Sequence, residues 1–262
     1  MKVFAISDLH GETGLLESFK AKVYEEDPGA VVFTGDIVRD GARYNEYMNA
    51  IAGGRTPRRD IKEIVEEEHE DILAYEAFFK TLNEMGKRCF VIPGNMDAPL
   101  DLFLQQAINR ETIARNVHII HNRITTKFLS GQGREIYMCG FGGDIVHKDT
   151  DDFFTLRFSR AQAFYAADTF RDFPNPRALL LHTPPKNLTP QGSDIVDEMI
   201  DNCRPSHVFC GRAGDFQGDG FAGTAFVVCP GSMQDGDYAI METITNRVEY
   251  RKLEVGAGVQ RM

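Results

Sequence analysis

Residues 3–11 read VFAISDLHG, an apolar run that ends abruptly in a polar segment. The same arrangement recurs in VVFTGD at 31–36, FVIPGNMD at 90–97 and LLLHTPP at 179–185. Each apolar run has the length and composition of a buried parallel strand. Because ligands of open α/β sheets bind at the carboxyl ends of the strands, we expect the four polar segments to meet in one crevice.

The rest of the chain has the pattern of an α/β protein, in which apolar runs alternate with amphipathic helical stretches. Eight runs are predicted to be strands: Lys2–Ile6, Ala30–Phe33, Cys89–Ile92, Val117–Ile120, Glu135–Cys139, Ala178–Leu181, His207–Cys210 and Ala225–Cys229. The tail differs, because Asp237–Thr243 and Arg247–Lys252 are typical of an antiparallel hairpin. We expect a single domain over residues 1–262.

Composition and charge narrow the function. The 262 residues include 29 Lys+Arg and 39 Asp+Glu, a formal net charge of −10, which argues against binding along a nucleic-acid backbone. A phosphate-bearing ligand would need a local positive centre, either a metal ion, an arginine or a helix N-terminus. Since the sequence has neither a signal-like apolar segment nor a membrane-length run, and its five cysteines are widely spaced, we expect a cytoplasmic protein without membrane contact.

Residues 53–85 have the character of a helical, acidic insertion. A basic, turn-rich segment, GGRTPRR at 53–59, precedes Asp60–Asp71, which contains seven acidic residues and one lysine. We interpret this run as the solvated face of a helix. The alternative is a contact with a partner or with a second copy of the chain, so a homo-oligomer is left open.

The polar segments carry a set of metal-ligand residues. Asp8, His10, Asp36, Asn95 and His182 each follow an apolar run, and Asp8 and His10 are two residues apart. Carboxylate, amide and imidazole groups are ligands of divalent metals. One such segment is weak evidence, but four in succession indicate a metal centre.

With these motifs the chain resembles the calcineurin-like metallophosphoesterase superfamily. The pattern of that family is D-x-H, G-D, G-N-H-[D/E], a single His and G-H-x-H, each at a strand end of a four-layer α/β/β/α sandwich. The matching residues here are Asp8-Leu9-His10, Gly35-Asp36, Gly94-Asn95 with Asp97, and His182. The resemblance covers nearly the whole chain and is closest to a divergent prokaryotic branch.

The resemblance implies a ligand set. Asp8 and His10 would hold one divalent ion, Asn95 and His182 a second, and Asp36 would bridge the two. It also implies catalytic roles for Asp36, Asn95 and Asp97, with one or two ions drawn from Mn, Fe, Zn and Ni. Water between the two cations would be acidified enough to attack phosphorus, while both ions would neutralise charge on the phosphoryl oxygens.

Two positions depart from the family pattern. Met96 stands where the family has a proton-donating histidine, so general acid assistance worth about 10²–10⁴-fold is missing unless another residue supplies it, with His147 as the substitute to test. The residues 211–214 read GRAG in place of G-H-x-H, so one ligand of each metal is missing. The segment 140–144, GFGGD, lacks the pattern of a P-loop and is interpreted as a tight turn near the site.

Two functions are compatible with these departures. In the favoured function, water, Asp215 or Asp219 completes the coordination of the metal ions. The protein is then a metal-dependent enzyme, with manganese as the expected ion, that hydrolyses a small phosphomonoester or phosphodiester. In the alternative, Arg212 replaces the second cation in a catalytically impaired phosphate- or nucleotide-binding pseudoenzyme. Arg212 and Asn95 are the predicted substrate-binding residues. Arg39 is expected to pair with Asp40.

Overall fold

Two sheets lie face to face in the computed structural model, which describes residues 1–39, 41–129, 135–212, 214 and 216–254, with 124–129 and 135 in backbone only. Within these ranges the first sheet has the strand order β14-β13-β1-β2-β3-β4. Its strands are β1 (Lys2–Ile6), β2 (Ala30–Phe33), β3 (Cys89–Val91), β4 (Val117–Ile119), β13 (Asp237–Glu242) and β14 (Arg247–Lys252). Strands β1 to β4 are parallel, whereas β13 and β14 add an antiparallel hairpin next to β1.

The second sheet has the order β11-β12-β10-β9-β6-β5 in the described residues. Its strands are β5 (Arg123–Leu129), β6 (Glu135–Phe141), β9 (Arg177–Leu181), β10 (His207–Cys210), β11 (Gly218–Ala222) and β12 (Ala225–Cys229). The four central strands are parallel, and β5 and β11 run antiparallel at the two edges. A short parallel pair, β7 (Asp144–Val146) and β8 (Arg157–Ser159), lies beside it.

Helices cover the outer face of each sheet. The first sheet packs against α1 (Leu16–Glu26), α3 (Lys62–Met85) and α4 (Leu100–Ile113), and the second packs against α5 (Arg160–Arg171) and α6 (Asp194–Cys203). In β1, Phe4 and Ile6 contact the helices while Val3 and Ala5 enter the core between the sheets. Because both faces of such a strand are buried, its sequence is continuously apolar. The predicted α/β/β/α sandwich is confirmed.

All eight predicted strands and the closing hairpin are present, with ends that differ by at most two residues. The sequence reading did not anticipate β5, β7, β8 or β11. The strand β11 has the sequence GDGFA. Its two glycines do not favour a strand prediction, because glycine is depleted in strands. The strands β7 and β8 are only three residues long. The single-domain organisation stays a prediction.

The acidic run is not wholly solvated, which corrects the interpretation given above. Helix α2 (Ala42–Ala52) carries Arg43, whose side chain is only 2% exposed and forms an ion pair with Asp71 of α3. The amide of Arg43 also donates to Glu67 Oε2 at 2.8 Å. Breaking a buried ion pair is costly because it leaves an unpaired buried charge. Part of the acidic run therefore holds α2 against α3.

No helix among the described residues combines the length and the apolar character needed to cross a bilayer.

His121 lies in an aromatic pocket next to the end of β4. The ring centroids of Phe141 and Phe158 are 5.2 and 5.1 Å from its own, and its Nδ1 accepts a hydrogen bond from the amide of Gly142 at 3.0 Å. Burial lowers the pKa of His121 to about 4, so the folded protein holds a neutral ring.

This histidine predicts acid sensitivity. Between about pH 6.5 and pH 4, His121 is protonated in the unfolded chain but neutral in the folded chain. The free energy of unfolding therefore decreases as the pH falls through this range. From pH 7 to 5 the wild type should lose about 1–2 kcal/mol more unfolding free energy than His121→Asn, which keeps an acceptor for Gly142. Urea unfolding at both pH values measures the difference, and equal losses would contradict this assignment.

Candidate metal centre

The carboxyl ends of parallel strands in both sheets meet at one cleft, as the sequence predicts. Asp8 and His10 follow β1, Asp36 follows β2, Asn95 follows β3, and His182 follows β9. Backbone hydrogen bonds join the first two segments: the amide of Asp8 donates to the carbonyl of Gly35 at 2.8 Å, and that of His10 donates to the carbonyl of Asp36 at 3.0 Å. Both polar segments are thereby fixed relative to each other.

Asp36 lies at the centre of this group. Ligand atoms of Asp8, His10 and Asp36 all lie within 4.8 Å of one another. His10 Nε2 is 3.7 Å from Asp8 Oδ1 and 4.0 Å from Asp36 Oδ2, whereas His182 Nε2 is 3.2 Å from Asp36 Oδ2 and 2.9 Å from Asn95 Oδ1. The structure therefore brings together all five predicted ligand residues, with Asp36 between two histidines.

The backbone at the site adopts a strained conformation. Asp8, His10, Asp36 and Arg212 have φ values of 57°, 46°, 60° and 45°, in the left-handed region that residues with a side chain rarely occupy. Such conformations cost about 1–3 kcal/mol each and persist only where the surrounding structure imposes them. Their concentration at one cleft supports a functional interpretation of the site.

Two glycines allow the strand ends to approach each other closely. A Cβ on Gly94 would lie 2.0 Å from Asp36 Oδ1, and one on Gly211 would lie 2.1 Å from the hydroxyl oxygen of Ser7. No side chain fits at these distances, so glycine is required at both positions. The first contact joins neighbouring strands of one sheet, and the second joins the two sheets.

His182 and its neighbours fit a bound cation. His182 Nδ1 contacts the carbonyl oxygen of Thr34 at 2.8 Å, so this nitrogen donates, and Nε2 of the neutral ring carries a lone pair. That Nε2 faces two further acceptors, Asn95 Oδ1 and Asp36 Oδ2. The lone pairs of these three atoms point at one another and repel unless a proton or a metal ion lies between them. Fixing one imidazole nitrogen through a carbonyl is also how proteins orient a metal-binding histidine.

The electrostatics of the site follow from the same contacts. Burial disfavours a charged His182, but the Asp36 carboxylate outweighs it and, with Asp8 and Asp144, raises the pKa of His182 to about 9. Burial likewise opposes ionisation of Asp36, yet His182 and then His10 hold its pKa below the usual range. The centre of the site is thus an anionic carboxylate that attracts cations.

Asp97 is buried and is not exposed to the cleft, where a group that touches substrate would lie. Its side chain is fully buried, and its Oδ2 accepts hydrogen bonds from the amides of Asp36 and Gly94 at 2.9 and 2.7 Å. Its Oδ1 accepts from the amides of Ile37 and Val38 at 2.9 and 3.2 Å. Burial and the charge of Asp36 raise the pKa of Asp97 to about 7, although these amides oppose the shift. The contacts correspond to a positioning role, because they join the segment after β2 to the segment after β3.

Asp144 is a site residue that the sequence analysis missed. It begins β7, is 8% exposed, and accepts a hydrogen bond through Oδ1 from the guanidinium of Arg212. Burial raises the pKa of Asp144 and Arg212 opposes the shift. The backbone amide of Arg212 also donates to Asp8 Oδ2 at 3.1 Å, so this pair borders the metal centre. The signal available in the sequence was the acid that directly follows Gly142-Gly143.

The remaining sequence-based candidates have other contacts or lie outside the described residues. Asp219 accepts a hydrogen bond from the hydroxyl of Tyr250 at 2.9 Å, and His147 is 66% exposed, with its Nε2 3.8 Å from Asp194. Neither is part of the group around Asp36. Asp215 falls outside the described residues.

Arg39 contacts two groups of the segment that follows β1. Its guanidinium donates to Glu12 Oε1 at 3.0 Å and to the carbonyl of His10 at 3.3 Å. Its predicted partner, Asp40, lies outside the described residues. Arg39 thus supports the backbone of a predicted metal ligand.

Comparisons with known proteins agree with this arrangement. A family model described as metallophosphoesterase, calcineurin superfamily, matches residues 1–253. A crystal structure that is 27% identical superimposes with a TM-score of 0.86, over 97% of this chain and 99% of its own. TT1561 of Thermus thermophilus is 23% identical, with a TM-score of 0.77 over 97% and 99% of the two chains.

A protein described as a novel archaeal phosphodiesterase is 11% identical, with a TM-score of 0.51 over 97% of this chain and 100% of its own, a likeness of fold. No curated protein matches the chain significantly. With the family model matching residues 1–253, the chain belongs to the calcineurin superfamily of metallophosphoesterases.

Proposed function

We propose that the protein is a cytoplasmic, metal-dependent phosphoesterase that hydrolyses a small phosphomonoester or phosphodiester. The observation that carries the proposal is the gathering of Asp8, His10 and Asp36 ligand atoms within 4.8 Å of one another, next to His182. A divalent cation bound there would supply the positive centre that a phosphate requires on a chain of net charge −10. Manganese is the first ion to test.

The residues of the site divide into two groups. Asp8 and His10 would hold one cation, and Asn95 and His182 a second, with the Asp36 carboxylate between them. When bound, such cations acidify water and neutralise charge on phosphoryl oxygens. The buried His182, fixed by Thr34, keeps its Nε2 directed at this point, and His10 stands at the mouth with 19% of its side chain exposed. The mouth is therefore the side from which substrate would enter.

Proton donation to the leaving group is the weakest step of this machinery. Met96 occupies the position of the proton donor, and its thioether accepts a weak contact from Asn95 Nδ2 at 3.5 Å. The buried Asp97 is engaged by four backbone amides and has no path to a leaving group. We therefore expect a preference for substrates with acidic leaving groups, such as aryl phosphates, which need little acid assistance.

The function is tested by metal removal and return. Protein stripped with EDTA should be inactive on aryl phosphomonoesters and phosphodiesters, and addition of Mn²⁺ should restore turnover. Metal analysis should give one or two ions per chain. Reconstituted protein that retains metal but shows no turnover would overturn the enzyme and favour the alternative, a phosphate- or nucleotide-binding pseudoenzyme.

Arg212 supplies a prediction on substrate binding. Its guanidinium is 39% exposed beside the site, and a guanidinium binds phosphate through two parallel hydrogen bonds. Arg212→Gln should raise KM about tenfold with a smaller change in kcat, since a hydrogen bond to a charged group contributes about 1.5–3 kcal/mol. The matched control is Arg160→Gln, because Arg160 is similarly exposed and pairs with Glu198 on the surface. Unchanged KM in Arg212→Gln would remove Arg212 from the substrate site.

A further inference from the structure

A second cavity lies at the opposite end of the strands from the metal centre. It has a volume of about 530 Å³ and is lined by the segments that precede β9, β10 and β12 and by the turn of the β13–β14 hairpin. The amino ends of the parallel strands meet here, whereas the metal centre is at their carboxyl ends. Cavities of about 300–1,000 Å³ are typical of small-molecule sites.

A buried positive charge contacts two of the residues that line this cavity. Arg177 is 5% exposed, and its guanidinium donates to Asn175 Oδ1 at 3.0 Å and to the carbonyl oxygens of Phe170, Arg171 and Arg204 at 2.9, 2.7 and 2.9 Å. In the described part of the chain, none of the ion pairs includes Arg177. Its charge is therefore held by hydrogen bonds rather than by a direct ion pair, with Asp172 as a more distant carboxylate.

The polar groups of the lining are oriented as donors. Asn175 Oδ1 accepts from Arg177 and, at 3.3 Å, from the Ser206 hydroxyl, while Asn246 Oδ1 contacts His207 Nε2 at 3.2 Å. Because both amide oxygens are engaged with the protein, the Nδ2 groups are what these side chains can offer to a ligand. The exposed Arg204 adds a guanidinium at the rim, and the described residues that line the cavity include no Asp or Glu.

We propose that this cavity binds a phosphorylated small molecule of about the size of a nucleoside monophosphate. A phosphate group has several strong acceptor oxygens and matches converging amide and guanidinium donors. Pro176, Pro205 and Ile244 provide an apolar wall on which a ring can pack. The ligand lies at the end of the sheets opposite Asp36 and needs no metal ion.

The test is calorimetric titration of adenosine 5′-monophosphate in EDTA, which removes metal-dependent binding. Wild type and Asp36→Asn should bind it equally. Asn175→Asp should weaken binding by at least about tenfold, because it sets a carboxylate against Arg177 and removes the Nδ2 donor. This variant gains an ion pair in place of a hydrogen bond, so it should fold. Arg204→Gln should also weaken binding, and the exposed Arg115→Gln serves as the matched control.

Several results would overturn the proposal. They are the absence of binding to wild type, binding that persists in both Asn175→Asp and Arg204→Gln, and binding that disappears in Asp36→Asn, which would assign the ligand to the metal centre. Adenosine should bind at least about tenfold more weakly than its monophosphate if the phosphate is recognised. Equal affinities for adenosine and its monophosphate would show that the phosphate group is not recognised. Competition by inorganic phosphate would support recognition of the phosphate group.

Discussion

Replacing Asp36 with asparagine should lower phosphoester hydrolysis by about a thousandfold or more while leaving the protein folded. The fold should survive because the introduced asparagine can keep its Oδ1 in place to accept the amide of Met96, which donates to Asp36 Oδ1 at 2.8 Å. The new Nδ2 would then stand where Oδ2 faces His182 and His10. A neutral donor at that position removes both the charge and the lone pairs that would hold a cation between the two histidines.

Metal content separates this explanation from a general loss of structure. Asp36→Asn should still unfold cooperatively, yet bind less Mn²⁺ than wild type at equal free ion. Asp219→Asn is the matched control, since the Asp219 carboxylate accepts a hydrogen bond from Tyr250 away from the metal centre. A kcat/KM in Asp36→Asn within tenfold of wild type would exclude a central role for this carboxylate.

The sequence predicts the location of those site residues that are positioned by a single strand. Asp8, His10, Asp36 and His182 directly follow buried apolar runs, and parallel strands place such residues at one end of the sheet. Both the four-layer fold and the proximity of these groups were therefore predictable. The backbone conformation that directs three of them was not, because the left-handed φ values of Asp8, His10 and Asp36 occur where hydrogen bonds join separate segments.

Other features depend on contacts between distant parts of the chain. Asp144 becomes part of the site only because Arg212, 68 residues later, folds against it. The sequence pattern predicts a solvated Asp71 because its partner, Arg43, lies on another helix, α2, which that pattern does not predict. Pairings of this kind are set by tertiary packing and leave no periodic signal in either segment.

Asp97→Asn should have the largest effect on stability, lowering the free energy of unfolding by about 3 kcal/mol or more at pH 8. In the variant, an NH₂ group replaces one of the two carboxylate oxygens of Asp97. This group cannot accept the hydrogen bonds that the replaced oxygen accepted from two backbone amides. On the Oδ2 side it would face the amides of Asp36 and Gly94, and on the Oδ1 side those of Ile37 and Val38. Either orientation leaves two buried donors unpaired, each at a cost of about 1–3 kcal/mol.

Tyr75→Phe is the control for this prediction, because it removes only the long contact of 3.3 Å between the Tyr75 hydroxyl and Asp97 Oδ1. It should cost about 1 kcal/mol or less. Activity measured at low temperature, where Asp97→Asn stays folded, then separates positioning from direct participation. If Asp97 only fixes Asp36 and Asn95, the variant should need more Mn²⁺ but reach a kcat within about tenfold of wild type at saturating metal. A loss of kcat that saturating Mn²⁺ does not restore would instead assign Asp97 to the chemical step.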